Sequence, residues 1–219
     1  MLAAIDPERW SIVLPDIRGY GGSAAIGGPF NLATVASDVL EIADYLGWAR
    51  FSLIGHSMGG KASLRIAVDA PTRVDRIVGI SPIWAGAVPL KAEQLAYFRS
   101  SVERIEVRAA IIAQTTGNRL PQFWCQRAAQ TSSANSRPEA YAGYLESLVF
   151  DEFEADAKGL DQQILVVVGD RDTANLEMAR ANWQPKLRHV ELVILKDCGH
   201  WAIREMPLFT AALVGEFLS

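Results

Sequence analysis

Cysteine and histidine are scarce in this chain. Two cysteines, Cys125 and Cys198, stand among 219 residues, too few for a disulfide framework or a multi-cysteine zinc site. The three histidines, His56, His189 and His200, form no H-x-x-x-H pair, so no metal centre is expected. A basic excess is also lacking. The 21 Lys+Arg are outweighed by 25 Asp+Glu, for a net charge of −4. That balance leaves no electrostatic footprint for nucleic acid or for an anionic membrane. Long apolar runs are missing too. The longest uncharged stretch, residues 19–37, holds five glycines and a proline, which a membrane helix does not tolerate in that density. Residues 1–9 have neither the basic start nor the apolar centre of a secretion signal, so a cytoplasmic location is expected. What the chain does have is 50% hydrophobic residues, enough for one well-buried domain at this length.

Short β-branched runs alternate with helical patterns, which predicts a largely parallel sheet covered by helices. Strands are expected at residues 10–14 (WSIVL), 51–54, 76–80, 164–168 and 190–195. A helix with Leu32, Val35, Val39, Ile42 and Leu46 on one stripe should end at Gly47, a glycine placed for a C-cap. A closing helix should begin near Pro207, with Phe209, Leu213 and Phe217 on one face. Between the third and fourth strands the alternation stops. Residues 84–158 carry charged helical stretches and scattered aromatics, and read as a helical insertion. Residues 130–138 are expected to connect two of its helices.

Gly55-His56-Ser57-Met58-Gly59 is G-x-S-x-G between a strand and a helix. That context makes a strained turn which pushes a serine hydroxyl out at the carboxyl end of a sheet. The helix start adds unpaired N–H groups and a favourable dipole for negative charge. A serine hydroxyl is a weak nucleophile and needs a base, and the base needs an orienting carboxylate. Two later strand ends supply both, at Gly169-Asp170-Arg171-Asp172 and Asp197-Cys198-Gly199-His200.

Four motifs together carry a resemblance: D-x-R-G-x-G-x-S at Asp16 to Ser23, G-H-S-M-G-G at Gly55 to Gly60, G-x-x-D at Gly169 to Asp172 and D-x-G-H at Asp197 to His200. In this order, over nearly the whole chain, they resemble the α/β-hydrolase superfamily and its esterase-like members with a helical cap. The resemblance implies an α/β fold, with residues 1–83 and 159–219 as core and 84–158 as cap. It implies Ser57 as nucleophile, His200 as general base and then acid, and Asp172, in preference to Asp170, as the orienting acid. Met58 would give an oxyanion N–H from its backbone. His56 would sit near the site without taking the proton, and Lys61 reads as a structural helix residue. Trp84, at the entry to the cap, and Trp201, beside His200, are expected to line an apolar substrate pocket. No metal or organic cofactor is implied. The expected partner is a small-molecule ester, and assembly into a homo-oligomer is compatible with the composition.

The family normally carries three strands ahead of the one matching residues 10–14. The last of these ends in a His-Gly loop that gives a second oxyanion donor. No His-Gly dipeptide occurs here, and residues 1–9, with Leu2, Ile5 and Pro7, look like the tail of a helix. The chain is therefore expected to be N-terminally shortened, with a slot between WSIVL and FSLI. A donor from Gly19 to Gly22 or from a partner chain would then be needed. The activity expected is hydrolysis of a carboxylic ester of a small or medium apolar substrate through an acyl-enzyme. The same three residues could serve a carbon–carbon bond, a lactone or a peroxy-acid reaction. A non-catalytic small-ligand binder of the same fold is the alternative outside enzymology.

Overall fold

The computed structural model describes Met1 and residues 4–219. A short 3-10 turn at Gly21–Ser23 precedes the first α-helix, α1, Leu32–Tyr45. Asn31 caps it by accepting the Thr34 N–H at 2.9 Å, and Gly47 follows at φ +69°, the left-handed cap that glycine adopts without strain. β1, Phe51–His56, leads into α2, Met58–Asp69, and β2, Val74–Ile80. After the insertion come β3, Gln163–Gly169, and β4, Val190–Leu195. All four strands are parallel, in the order β1-β2-β3-β4.

β3 explains why its sequence is an unbroken aliphatic run. Ile164, Val166 and Val168 belong to the core on the side of α1 and α2, with Leu32, Leu64 and Ile77. Leu165 and Val167 alternate to the other side, with Val78, Ile80 and Val214. A strand covered on both faces has no position left for polar residues.

Residues 10–14 were expected to be a strand and are not. They run without a ladder, and Ile12, Val13 and Leu14 are 42%, 40% and 66% exposed. β propensity only becomes a strand where a neighbouring backbone offers a row of hydrogen bonds. β1 is an edge of the sheet and pairs with β2 alone among the described residues, so WSIVL has no such row. Residues 4–9 form turns, with the Arg9 and Trp10 N–H groups both directed to the Asp6 carbonyl, where a helix tail was expected. Leu2 lies outside the described residues.

The insertion is helical: α3 Ala92–Ser100, α4 Ile105–Thr115, α5 Gln122–Ala134, α6 Pro138–Phe150 and α7 Glu154–Ala157. α5 extends further than expected, so the connection to α6 is three residues, 135–137. α4 and α5 share a small core of Ile112, Cys125, Ala128 and Ala129. α6 and α7 instead add Ala140, Tyr144 and Ala157 to the main core. Lys61 of α2 ties the two ends of the insertion down. It is fully buried, and its ammonium donates to the carbonyls of Gly86, Leu148 and Asp151 at 2.9, 2.9 and 2.7 Å.

After β3, α8, Thr173–Met178, passes through a π-helical turn at Ala179–Trp183 into α9, Gln184–Lys186. α10, Ala202–Glu205, and α11, Pro207–Leu218, close the chain. α11 starts where expected but buries a shifted face. Thr210, Ala211 and Val214 are buried, Leu213 and Phe217 flank them, and Phe209 is 52% exposed. Among the described residues no helix is long and apolar enough to cross a membrane.

Candidate active site

Ser57 sits between β1 and α2 with φ 54° and ψ −117°, a backbone conformation that a non-glycine residue holds only under constraint. The constraint is visible in its hydrogen bonds. Ser57 N–H donates to the Ile80 carbonyl at 2.9 Å, and its own carbonyl accepts from Gly60 and Ile83 at 2.9 and 3.1 Å. Two glycines make the turn sterically feasible. A Cβ on Gly55 would lie 2.2 Å from the Gly59 carbonyl oxygen, and one on Gly60 would lie 2.3 Å from Pro82 Cβ. Gly59 is different: a Cβ there meets nothing within 4 Å. Gly60→Ala is therefore expected to lower the melting temperature sharply by prising α2 from Pro82, just past the end of β2. Gly59→Ala should leave it unchanged or raise it, since alanine is the better helix former. Thermal melts of the two variants side by side check this.

The ends of β3 and β4 bring the other residues together. Asp170 N–H donates to Leu195 at 2.9 Å and Arg171 N–H to Cys198 at 2.8 Å, and Arg171 also pairs with Asp197. The approach is so close that a Cβ on Gly169 would lie 2.1 Å from the Cys198 carbonyl oxygen. His200, itself buried, then meets Asp172 through Nδ1 and Oδ2 at 2.7 Å. Asp170 turns elsewhere, with its nearest cation Arg171 at 3.5 Å. No hydrogen bond joins Ser57 Oγ to the His200 ring in this structure.

His56 lies between these parts. Its Nε2 donates to the His200 carbonyl at 2.8 Å, and the two rings are 4.8 Å apart. Desolvation, and then the neighbouring His200, push the His56 imidazole down to about 3, so it stays neutral and serves as a donor. An imidazole held neutral in the fold but free to charge when unfolded gives stability that is complete above about pH 6.5. That stability is lost as pH falls toward 3, because the unfolded chain then binds the extra proton. His56→Gln keeps a donor without the titration. It is expected to flatten the fall in melting temperature between pH 6.5 and 4, by a slope of about one proton.

The residues expected at the pocket divide. Trp201 stacks near His56 at 5.4 Å and Trp124 at 6.2 Å. It lines a cavity of about 560 Å³ with Asp16, Tyr20, Thr131, Asn135 and Arg204. Trp84, also expected to line the substrate pocket, does not line that cavity. It is 4% exposed, sits edge-on to Trp183 at 5.7 Å, and its indole N–H donates to Glu154 at 2.7 Å, so it is committed to the core. Met58 opens α2, and the first N–H of a helix has no partner within it. Gly19 to Gly22 cannot add a second donor as they stand. Their N–H groups go to Ser23 O, Ile17 O, Asn135 O and Asp16 Oδ2 respectively. Cys198 is buried, and desolvation pushes its thiol up to about 12, which leaves it inert.

Sequence reasoning missed two carboxylate and amide contacts. Glu205 accepts the N–H groups of Gly199 and Trp201 at 2.9 and 3.0 Å, so it grips the chain on both sides of His200. Its spacing of five residues from His200 was the only signal. Asn175 donates to both oxygens of Asp172 at 3.1 and 2.9 Å, and nothing in its sequence position announces that.

Comparison with known proteins agrees with this architecture. The soluble epoxide hydrolase of Corynebacterium sp. (strain C12) is 24% identical, over 92% of this chain and 78% of that protein. The 2-hydroxymuconate semialdehyde hydrolase of Pseudomonas putida is 26% identical, over 95% of this chain and 76% of that protein. An esterase from Exiguobacterium antarcticum superposes with a TM-score of 0.80 at 18% identity, covering 93% of this chain and 80% of its own, a likeness of fold. The family model described as alpha/beta hydrolase fold matches residues 1–207, and with so much of its length accounted for, the chain belongs to the α/β-hydrolase fold family.

Proposed function

We propose that the protein is a serine hydrolase that cleaves a carboxylic ester of a small or medium apolar substrate through an acyl-enzyme. The observation that carries this reading is the 2.7 Å contact between Asp172 and His200 Nδ1, made at the strand ends beside a serine on a constrained turn. An ionised carboxylate at Nδ1 fixes the proton there and leaves Nε2 as the base. In this reading the ring approaches Ser57 once substrate is bound, as such contacts commonly tighten only in the complex. His200 takes the hydroxyl proton as Oγ attacks the ester carbonyl. The oxyanion leans on the Met58 N–H. His200 then gives its proton to the departing alcohol, and water activated by the same imidazole releases the acid.

A second reading keeps Ser57, Asp172 and His200 and changes the bond, to a carbon–carbon bond beside a carbonyl. The relative that hydrolyses 2-hydroxymuconate semialdehyde favours it. The test is a panel of p-nitrophenyl esters of rising acyl length, run beside a lactone and a vinylogous diketone acid. The ester reading expects turnover that peaks at a short or medium acyl chain. Turnover confined to the diketone acid would replace it with the second reading. No turnover of any, together with tight binding of one, would favour a binder.

A further inference from the structure

We infer that Asn175 is a positioning residue for the proposed triad: it holds the Asp172 carboxylate in the orientation that His200 needs. The inference rests on the serine-hydrolase reading above. Asp172 stands at the N-cap of α8 but makes no side-chain cap bond to the helix. Its oxygens go elsewhere. Oδ2 accepts from His200 Nδ1 at 2.7 Å and from Asn175 Nδ2 at 2.9 Å, and Oδ1 accepts from the same Nδ2 at 3.1 Å. Among the described residues, Asn175 is the hydrogen-bond donor to Oδ1. Without it, the carboxylate could rotate about its terminal bond and no longer present Oδ2 to the ring.

The amide bears a cost that packing alone does not explain. Asn175 is 6% exposed, and its Oδ1 is buried with no hydrogen-bond partner. Turning the amide over would aim that oxygen at two carboxylate oxygens, so the carboxylate itself selects the orientation that leaves Oδ1 bare. Nδ2 also lies 3.1 Å from His200 Nδ1. Both are nitrogens with protons to give, and both direct them at Oδ2, so the amide brackets the ring as well as the acid. A buried polar group left half-satisfied in a folded protein calls for a reason. Here the reason is the N–H end, which the site uses.

The experiment separates donation from space-filling. Asn175→Leu keeps the volume and removes the donor, and Asn175→Asp keeps the shape but replaces the amide donor by an acceptor when ionised. Both are assayed at pH 8 for ester turnover, for the rate at which a fluorophosphonate probe labels Ser57, and for the low-field proton resonance of His200 Nδ1–H. The expected result is a tenfold or greater loss in kcat and in labelling rate, with KM within about twofold, and a shifted or lost low-field resonance. Either folded variant keeping kcat within twofold with the resonance in place would overturn the inference. Thermal melts identify a variant that fails to fold, and the other then decides. Should both fail, Asn175→Ala, which removes the donor with the least intrusion on the surroundings, is read by the same criteria. The wild type guards the underlying reading: if its Ser57 takes no probe and shows no low-field resonance, the triad reading has failed, whatever Asn175 does.

Discussion

Ser57→Ala is expected to lower ester turnover by about 10⁴ or more and to abolish labelling by a fluorophosphonate probe. In a serine hydrolase the three residues act as a unit, so losing the nucleophile costs nearly as much as losing all three. What survives is the contribution of substrate binding and of the oxyanion donor. In this protein that residue of activity should be small, because the Gly19 to Gly22 amides are engaged within their own loop and Met58 stands as the single named donor. The measurement is steady-state turnover beside peptide mapping of the labelled protein. Probe found on another serine, or turnover within tenfold of wild type, would remove Ser57 from the mechanism. The fold should be untouched, since the Ser57 side chain makes no cap bond to α2.

The second large effect concerns the acid. Asp172→Asn is expected to cost about 10⁴ in turnover while the protein stays folded. The substituted amide places an N–H where an acceptor stood. The imidazole then does better with its proton on Nε2, which leaves it unable to accept the serine proton. Asp170→Asn, two residues away on the same loop, should cost less than about threefold, because its carboxylate lies against Arg171 and not against the ring. Kinetics of the pair on one substrate decide between them. Equal losses would mean that the loop as a whole, and not the Asp172 carboxylate, matters to the reaction.

Most of the frame was legible in the sequence because it rests on local signals. The strands β1 to β4 are short aliphatic runs bounded by turn residues, and α1 carries its closing glycine in plain view. The meeting of the loops that carry Asp172 and His200 was legible for a related reason, since parallel strands bring their carboxyl ends to one side; the preference for Asp172 over Asp170 came from the resemblance. The rest depends on partners that the sequence does not display. Residues 10–14 have the composition of a strand, and the neighbour they would pair with is not in the sheet. Trp84 and Trp201 are the same residue type, both expected at the pocket, yet one faces Trp183 in the core and the other lines a cavity. Phe209 fits the apolar stripe of α11 by periodicity, but the surface α11 packs on ends before reaching it. Asn175 and Glu205 meet partners only three to six residues away, but loop and helix-end geometry sets those contacts, while the carbonyls that hold Lys61 come from distant parts of the chain. Burial of a lysine against three carbonyls, in particular, has no sequence signature.

The edge of β1 has a consequence for how this chain behaves in concentrated solution. β1 bonds to β2 on one side only among the described residues, and Ile54, on the strand itself, is 39% exposed. The apolar run from Ile12 to Leu14 is exposed as well. A row of unpaired N–H and C=O groups beside greasy side chains is a template on which another extended segment can add. Growth on such a template proceeds by backbone bonding and apolar contact, so raising the salt does not disperse it. Loss of material on standing should therefore climb steeply with protein concentration, and dilution, more than buffer, is what keeps the chain usable.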